Sequence, residues 1–152
     1  MQHDPIKMLK DDHKVVTKLF DEFEAADGRS RARVAREAIT KLEVHADIEE
    51  DIFYPAAKDA VGVEVMAEAA EEHHVVHVLI AELKKMLEAR STGVDFNAKF
   101  TVLAENVRHH IKEEETEMLP LAAKIPTAER ESIGARMAER KAHLSTSVAS
   151  RK

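Results

Sequence analysis

The 152-residue chain has no cysteine. That excludes disulfides, thiolate zinc sites, thiolate-held iron–sulfur clusters and a cysteine nucleophile, and it fits a reducing compartment. Aromatic residues make up only 4% of the chain, and the abundance of Ala, Glu, Lys, Leu and Val points to helices over strands. Glycine and proline number four each and fall mostly between periodic segments, as punctuation does. No long basic block is present: 23 Lys and Arg are scattered among 29 Asp and Glu, for a net charge of -6, so no nucleic-acid partner is expected. No apolar run approaches the roughly 18 residues that span a bilayer, and no signal peptide is read at the start. The expectation is a cytoplasmic protein without a membrane partner, monomeric or a homodimer.

What is there is one domain's worth of chain with 44% hydrophobic residues, enough to bury a core. Asp4-Pro5 opens a first helix, Asp as N-cap and Pro at the first helical position. Its apolar residues Ile6, Leu9, Val16, Phe20 and Phe23 follow in steps of three and four. It ends near Ala26 at Asp27-Gly28. Ser30 is expected to cap a second helix running to about Ala60, and Gly62 marks the next turn. A third helix carries Met66, Ala70, Ile80, Leu83 and Leu87 and stops at Ser91-Thr92-Gly93. Asp95 is expected to cap a fourth, and Pro126-Thr127 opens a shorter C-terminal helix that frays from about Ser145. Short connections force neighbouring long helices to run antiparallel. The predicted fold is therefore all-α: an up-down-up-down antiparallel four-helix bundle over residues 1–126, with a short extra C-terminal helix and tail over 127–152.

The chain repeats itself. HKVVTKLFDEF from His13 aligns with HHVVHVLIAEL from His73, and HADIEEDIFYP from His45 with HIKEEETEMLP from His110. His45, Glu49, Glu50 and Pro55 recur as His110, Glu114, Glu115 and Pro120 at the same offsets. Helices 1–2 and 3–4 thus read as two copies of one hairpin, related by a pseudo-twofold axis.

Nine histidines are present, seven of them in four short clusters. The buried stripe of each helix selects among them. Positions 6, 9, 13, 16, 20 select His13; 38, 42, 45, 49, 52 select His45 and Glu49; 66, 70, 73, 77, 80 select His73 and His77. Positions 100, 103, 107, 110, 114 select His110 and Glu114. Residues four apart share a helix face, so each of these pairs can reach one centre. Counting from the loops puts the candidates of each hairpin at one level, roughly 20 Å from the turn at 1.5 Å per residue. Seven polar groups at one level of a core are costly unless bonded or coordinated. His3, His74, His109 and His143 are assigned to the surface, as are the charges of Glu50, Glu113 and Glu115. A lone histidine on an apolar face is usually a satisfied core residue; the inference of a metal site rests on all seven candidates appearing together.

Imidazole nitrogens and carboxylate oxygens suit iron, manganese or zinc over calcium or magnesium. Seven ligands exceed one tetrahedral zinc, whereas two metals bridged by one carboxylate from each half use them all. His13, the HxxxE of His45 and Glu49, the HxxxH of His73 and His77, and the HxxxE of His110 and Glu114 together resemble the hemerythrin and hemerythrin-like HHE cation-binding family, over roughly residues 4–123. The resemblance implies a non-heme di-iron centre: two Fe ions bridged by Glu49, Glu114 and an oxo or hydroxo group, one iron on His73, His77 and His110, the other on His13 and His45. Thr17 stands where the repeat has His77, so the second iron keeps a position open for dioxygen or peroxide. The family's oxygen carriers end in HxxxxD, whereas His110 here gives HxxxE; His109 with Glu114 gives HxxxxE and is the second choice of ligand. A ferritin-like oxidase needs a Glu-x-x-His in each half, and only Glu71-x-x-His74 fits, its repeat counterpart being Asp11-x-x-Lys14. The implied function is a di-iron protein that binds dioxygen or a related small oxidant for sensing, delivery or scavenging. A peroxide- or nitric-oxide-detoxifying enzyme at the same centre, catalase-like or oxidant-reducing, and an iron storage or sensing protein are the alternatives.

Overall fold

The computed structural model describes residues 1–150, and these form five helices with no strand among them. Helix α1 is Pro5–Ala25, with Asp4 as N-cap accepting a hydrogen bond from the Ile6 N–H at 3.0 Å. Helix α2 covers 28–61: an α-helical stretch Gly28–Ile48, a π turn Glu49–Phe53, and a further stretch Tyr54–Val61. Gly62 (φ 100°) separates it from α3, Val63–Glu88, a backbone conformation that favours glycine. Helix α4 covers 94–122 and repeats the construction of α2: Val94–Glu113, a π turn Glu114–Met118, then Leu119–Ala122. Helix α5 is Thr127–Ser150. No described helix is long and apolar enough to cross a membrane.

The all-α antiparallel bundle expected from periodicity is what forms. Details differ at the ends. Asp27, not Ser30, caps α2, its Oδ1 receiving the Ser30 N–H. Helix α4 starts at Val94 after Gly93, which leaves Asp95 inside the first turn. There its charge still suits the positive end of the helix dipole. The C-terminal helix is not short: it has 24 residues and remains helical past Ser145 to Ser150. Ile133 and Met137 bury it against the bundle, and Arg140 reaches Asp47 (2.7 Å) and Asp51 (2.9 Å) on α2. Arg151 and Lys152, the end of the expected frayed tail, lie outside the described residues.

Both π turns have a cause in the sequence. Pro55 and Pro120 lack the N–H that an α-helix needs there, and their rings press on the carbonyl four residues back. The helix widens upstream instead, with the Tyr54 N–H on the Glu49 carbonyl and the Leu119 N–H on the Glu114 carbonyl. Such bulges insert one residue and re-aim the side chains beyond it. Apolar packing divides into two clusters. One, around Phe20, Phe23, Leu83, Phe96 and Phe100, lies toward the α1–α2 and α3–α4 turns. The other, around Leu9, Phe53, Met118, Leu119 and Met137, fills the opposite end. The polar layer sits between them.

Candidate metal centre

Six of the seven predicted residues meet in that layer. His13 comes from α1, His45 and Glu49 from α2, His73 from α3, His110 and Glu114 from α4, and none is more than 9% exposed. Glu49 Oε1 lies 3.2 Å from both His45 Nε2 and His73 Nε2. Glu114 Oε1 lies 3.1 Å from His13 Nε2, and its Oε2 lies 3.1 Å from His110 Nε2. Each carboxylate therefore faces one imidazole from each half of the repeat.

The outward nitrogens are as ordered as the inward ones. His13 Nδ1–H donates to Glu115 (2.7 Å), His45 Nδ1–H to Asp12 (2.9 Å), His73 Nδ1–H to Glu50 (2.7 Å) and His110 Nδ1–H to Glu72 (2.8 Å). A carboxylate can only accept, so each Nδ1 carries the proton and each Nε2 is aimed inward. This is the carboxylate–histidine arrangement that fixes ring orientation at metal sites. It obeys the pseudo-twofold: Asp12 and Glu72 directly precede His13 and His73, and Glu50 and Glu115 directly follow Glu49 and Glu114. Glu50 and Glu115 are thus orienting partners, not the free surface charges expected from sequence.

The seventh candidate is placed elsewhere. His77 is 47% exposed, its Nε2 2.7 Å from Glu50 Oε2. The buried stripe of α3 runs through Ala69, His73, Ile80, Leu83 and Leu87 with Val76 half-buried. The 66–70–77 phase shares several of those positions, but Ala70 and His77 are exposed and Met66 is half-buried. In its place stands a residue that sequence reasoning passed over. The Tyr54 hydroxyl donates to Glu114 Oε2 at 2.6 Å and lies 3.1 and 3.2 Å from His73 Nε2 and His110 Nε2. Its repeat counterpart is Leu119, so Tyr54 against Leu119 is a second difference between the halves beside His77 against Thr17. His109, the second choice, is 65% exposed and pairs with Glu113 at 2.8 Å. His74 and His143 are exposed, and His3 pairs with Glu131 at 2.8 Å.

Charge is concentrated here. Burial opposes ionisation of Glu49, yet the charge of His45 beside it holds the carboxyl well below its usual range. Burial alone lowers the imidazoles, but facing carboxylates outweigh it: Glu49 and Asp12 raise His45 well above its ordinary value, and Glu49 and Glu50 raise His73. Glu114, Glu49 and Glu72 bring His110 up to about 9. Burial, then the charges of Glu49 and Glu114, push the Tyr54 phenol well above its usual range.

The donor set also fits a cation on hydrogen-bonding grounds. His13 Nε2, His45 Nε2, both Glu49 oxygens and Glu114 Oε1 are buried without a hydrogen-bond partner. Each such atom costs roughly 1–3 kcal/mol if left unsatisfied. His13, His45, Glu49 and Glu114 place donor atoms within 4.8 Å of one another, as do Glu49, His73 and His110. These are two adjoining groups that share Glu49. A sequence model of the hemerythrin HHE cation-binding domain matches residues 4–122.

The chain belongs to the hemerythrin HHE cation-binding domain family.

It is 31% identical over 137 residues to the uncharacterised proteins Rv2633c of Mycobacterium tuberculosis and Mb2666c of Mycobacterium bovis, matches covering 88% of this chain and 82% of each relative. The crystal structure of a hemerythrin HHE cation-binding domain-containing protein from Mycobacterium kansasii, a Rv2633c homolog, superposes with a TM-score of 0.81. That likeness holds at 26% identity over 97% of this chain and 91% of the other, so it takes in α5, which the family match leaves out.

Proposed function

We propose that this HHE-domain protein holds two iron ions and binds dioxygen or a related small oxidant at them. One ion falls to His13 and His45, the other to His73, His110 and Tyr54, with Glu49 and Glu114 shared between them. The observation that carries the reading is the pair of carboxylates, each spanning imidazoles of both halves, over five buried donor atoms that have no other partner. A di-iron pair supplies two electrons to a small oxidant. The chain's own residues do the rest. Asp12, Glu50, Glu72 and Glu115 keep the Nε2 atoms aimed inward. Leu119, the repeat counterpart of Tyr54, is apolar and adds no donor of its own.

A cavity of about 30 Å³ adjoins the four imidazoles, walled by Val16, Leu42, Val76 and Val107. It exceeds the 10–15 Å³ a single water needs and suits a molecule of two heavy atoms. Its apolar walls favour an uncharged guest beside the imidazoles. The test is to cycle the iron-loaded, reduced protein between oxygen and argon while its absorbance is monitored. A reversible change supports oxygen binding. Sustained gas evolution on adding peroxide, without reversible oxygen binding, assigns the centre to enzymatic peroxide removal instead.

A further inference from the structure

Any ion reaching the centre has to pass ligands that are almost wholly buried. A surface pocket of about 410 Å³ between α2 and α3 reaches them, since His73 and Tyr54 line both it and the buried layer. Glu50 and His77 line the same pocket with side chains 40% and 47% exposed. Glu50 Oε2 is 2.7 Å from His77 Nε2 and 2.7 Å from His73 Nδ1, and the three donor atoms lie within 4.8 Å of one another. Two other large openings are less suited. An acidic one of about 540 Å³, lined by Glu68, Glu71, Glu72 and Glu113, is lined by none of the four imidazoles. The other, a groove of about 640 Å³ reaching Asp12, is lined by Arg29, Arg33, Arg36, Lys41 and Lys141, with Glu37 among them. That positive rim repels cations.

The pseudo-twofold supplies an internal comparison. Glu115 takes the place of Glu50 and orients His13 as Glu50 orients His73. At the position of His77, however, the first half has Thr17, a poor ligand for a borderline metal. Orienting a core histidine therefore needs only the glutamate; His77 is an addition on one side. Resting on the di-iron reading above, we propose that His77 and Glu50 form an outer metal-receiving site through which ferrous iron, or a like divalent transition metal, passes to and from the buried centre. The ion exchanges part of its water shell for His77 Nε2 and Glu50 Oε2, next to the His73 ring whose far nitrogen belongs to the centre. Two protein ligands hold it weakly, and Lys58, which lines the same pocket, disfavours permanent residence.

A residue of passage changes rates in both directions and leaves affinity alone. The experiment measures Co²⁺ uptake by the chelator-stripped full-length protein, and chelator-driven release from the loaded protein, in wild type and His77→Ala. Both rates are expected to fall by about tenfold or more, the effect of losing one charge-assisted contact. Final metal content and Kd stay unchanged. Wild-type rates in the variant overturn the proposal. Loss of metal content also overturns it, by making His77 a resident ligand. A wild-type protein that takes up no metal at all overturns the di-iron reading, and this proposal with it.

Discussion

Raising the pH from 6.5 to 9 destabilises the metal-free protein, and His110 sets the scale. Its imidazole is buried between Glu72 at Nδ1 and Glu114 at Nε2. Burial lowers its proton affinity, but Glu114, Glu49 and Glu72 outweigh that and raise it from 6.5 to about 9. A histidine whose pKa is higher folded than unfolded stabilises the fold fully below 6.5, and that contribution is lost as the pH passes through the folded value. The difference corresponds to about 3 kcal/mol from His110. His45 and His73 are shifted in the same direction, so they add to the fall. For a domain of this size each kcal/mol moves Tm by roughly 2–4 °C, which puts the fall from His110 at roughly 6–12 °C. Metal responds oppositely, because it displaces these protons on binding and so binds more tightly as the pH rises. Thermal melts by circular dichroism, in chelator and with metal, from pH 6 to 9.5 measure both trends. A metal-free Tm that is flat or rises between pH 6.5 and 9 refutes the reasoning.

The geometry carries three further outcomes. Tyr54→Phe retains metal, since the histidines and glutamates remain, but loses the visible phenolate-to-ferric absorption; an unchanged spectrum at full iron content removes Tyr54 from the centre. Glu115→Ala leaves His13 Nδ1 without its orienting partner and weakens metal binding roughly 10–100-fold by equilibrium dialysis; unchanged affinity contradicts the role given to it. Gly134→Ala drives a Cβ into the His3 carbonyl oxygen, so the segment that His3 pins to Glu131 has to shift. Chemical denaturation should show a loss of about 1–3 kcal/mol, the usual cost of overpacking, and wild-type stability counts against that contact.

Much of the fold and the site is legible in the sequence because helical periodicity and the repeat report on the same stripe. His13, His45, Glu49, His110 and Glu114 sit where apolar spacing alone puts a core residue. His73 belongs to either phase that can be drawn through α3. That ambiguity lets His77 be read inward: the 70–77 and 69–76 phases share Ile80, Leu83 and Leu87, and only packing decides that Val76 takes the inner place. Tyr54 is hidden by a different effect. Nine residues past His45, it falls on the opposite face of an uninterrupted α-helix. The π turn that Pro55 imposes inserts a residue and swings it back. The recurring proline, ten residues after each histidine, is the available signal. Glu50 and Glu115 escape a stripe argument because it sees one helix at a time, while each of them orients a histidine on another helix.

The central claim is a pair of irons on these residues. It is tested most directly by metal content measured together with the optical spectrum of protein produced with ample iron, before and after reduction. About two irons per chain, the number the two adjoining donor groups support, with absorption that bleaches on reduction, is the predicted result. No iron, or a single zinc, in that protein contradicts the account.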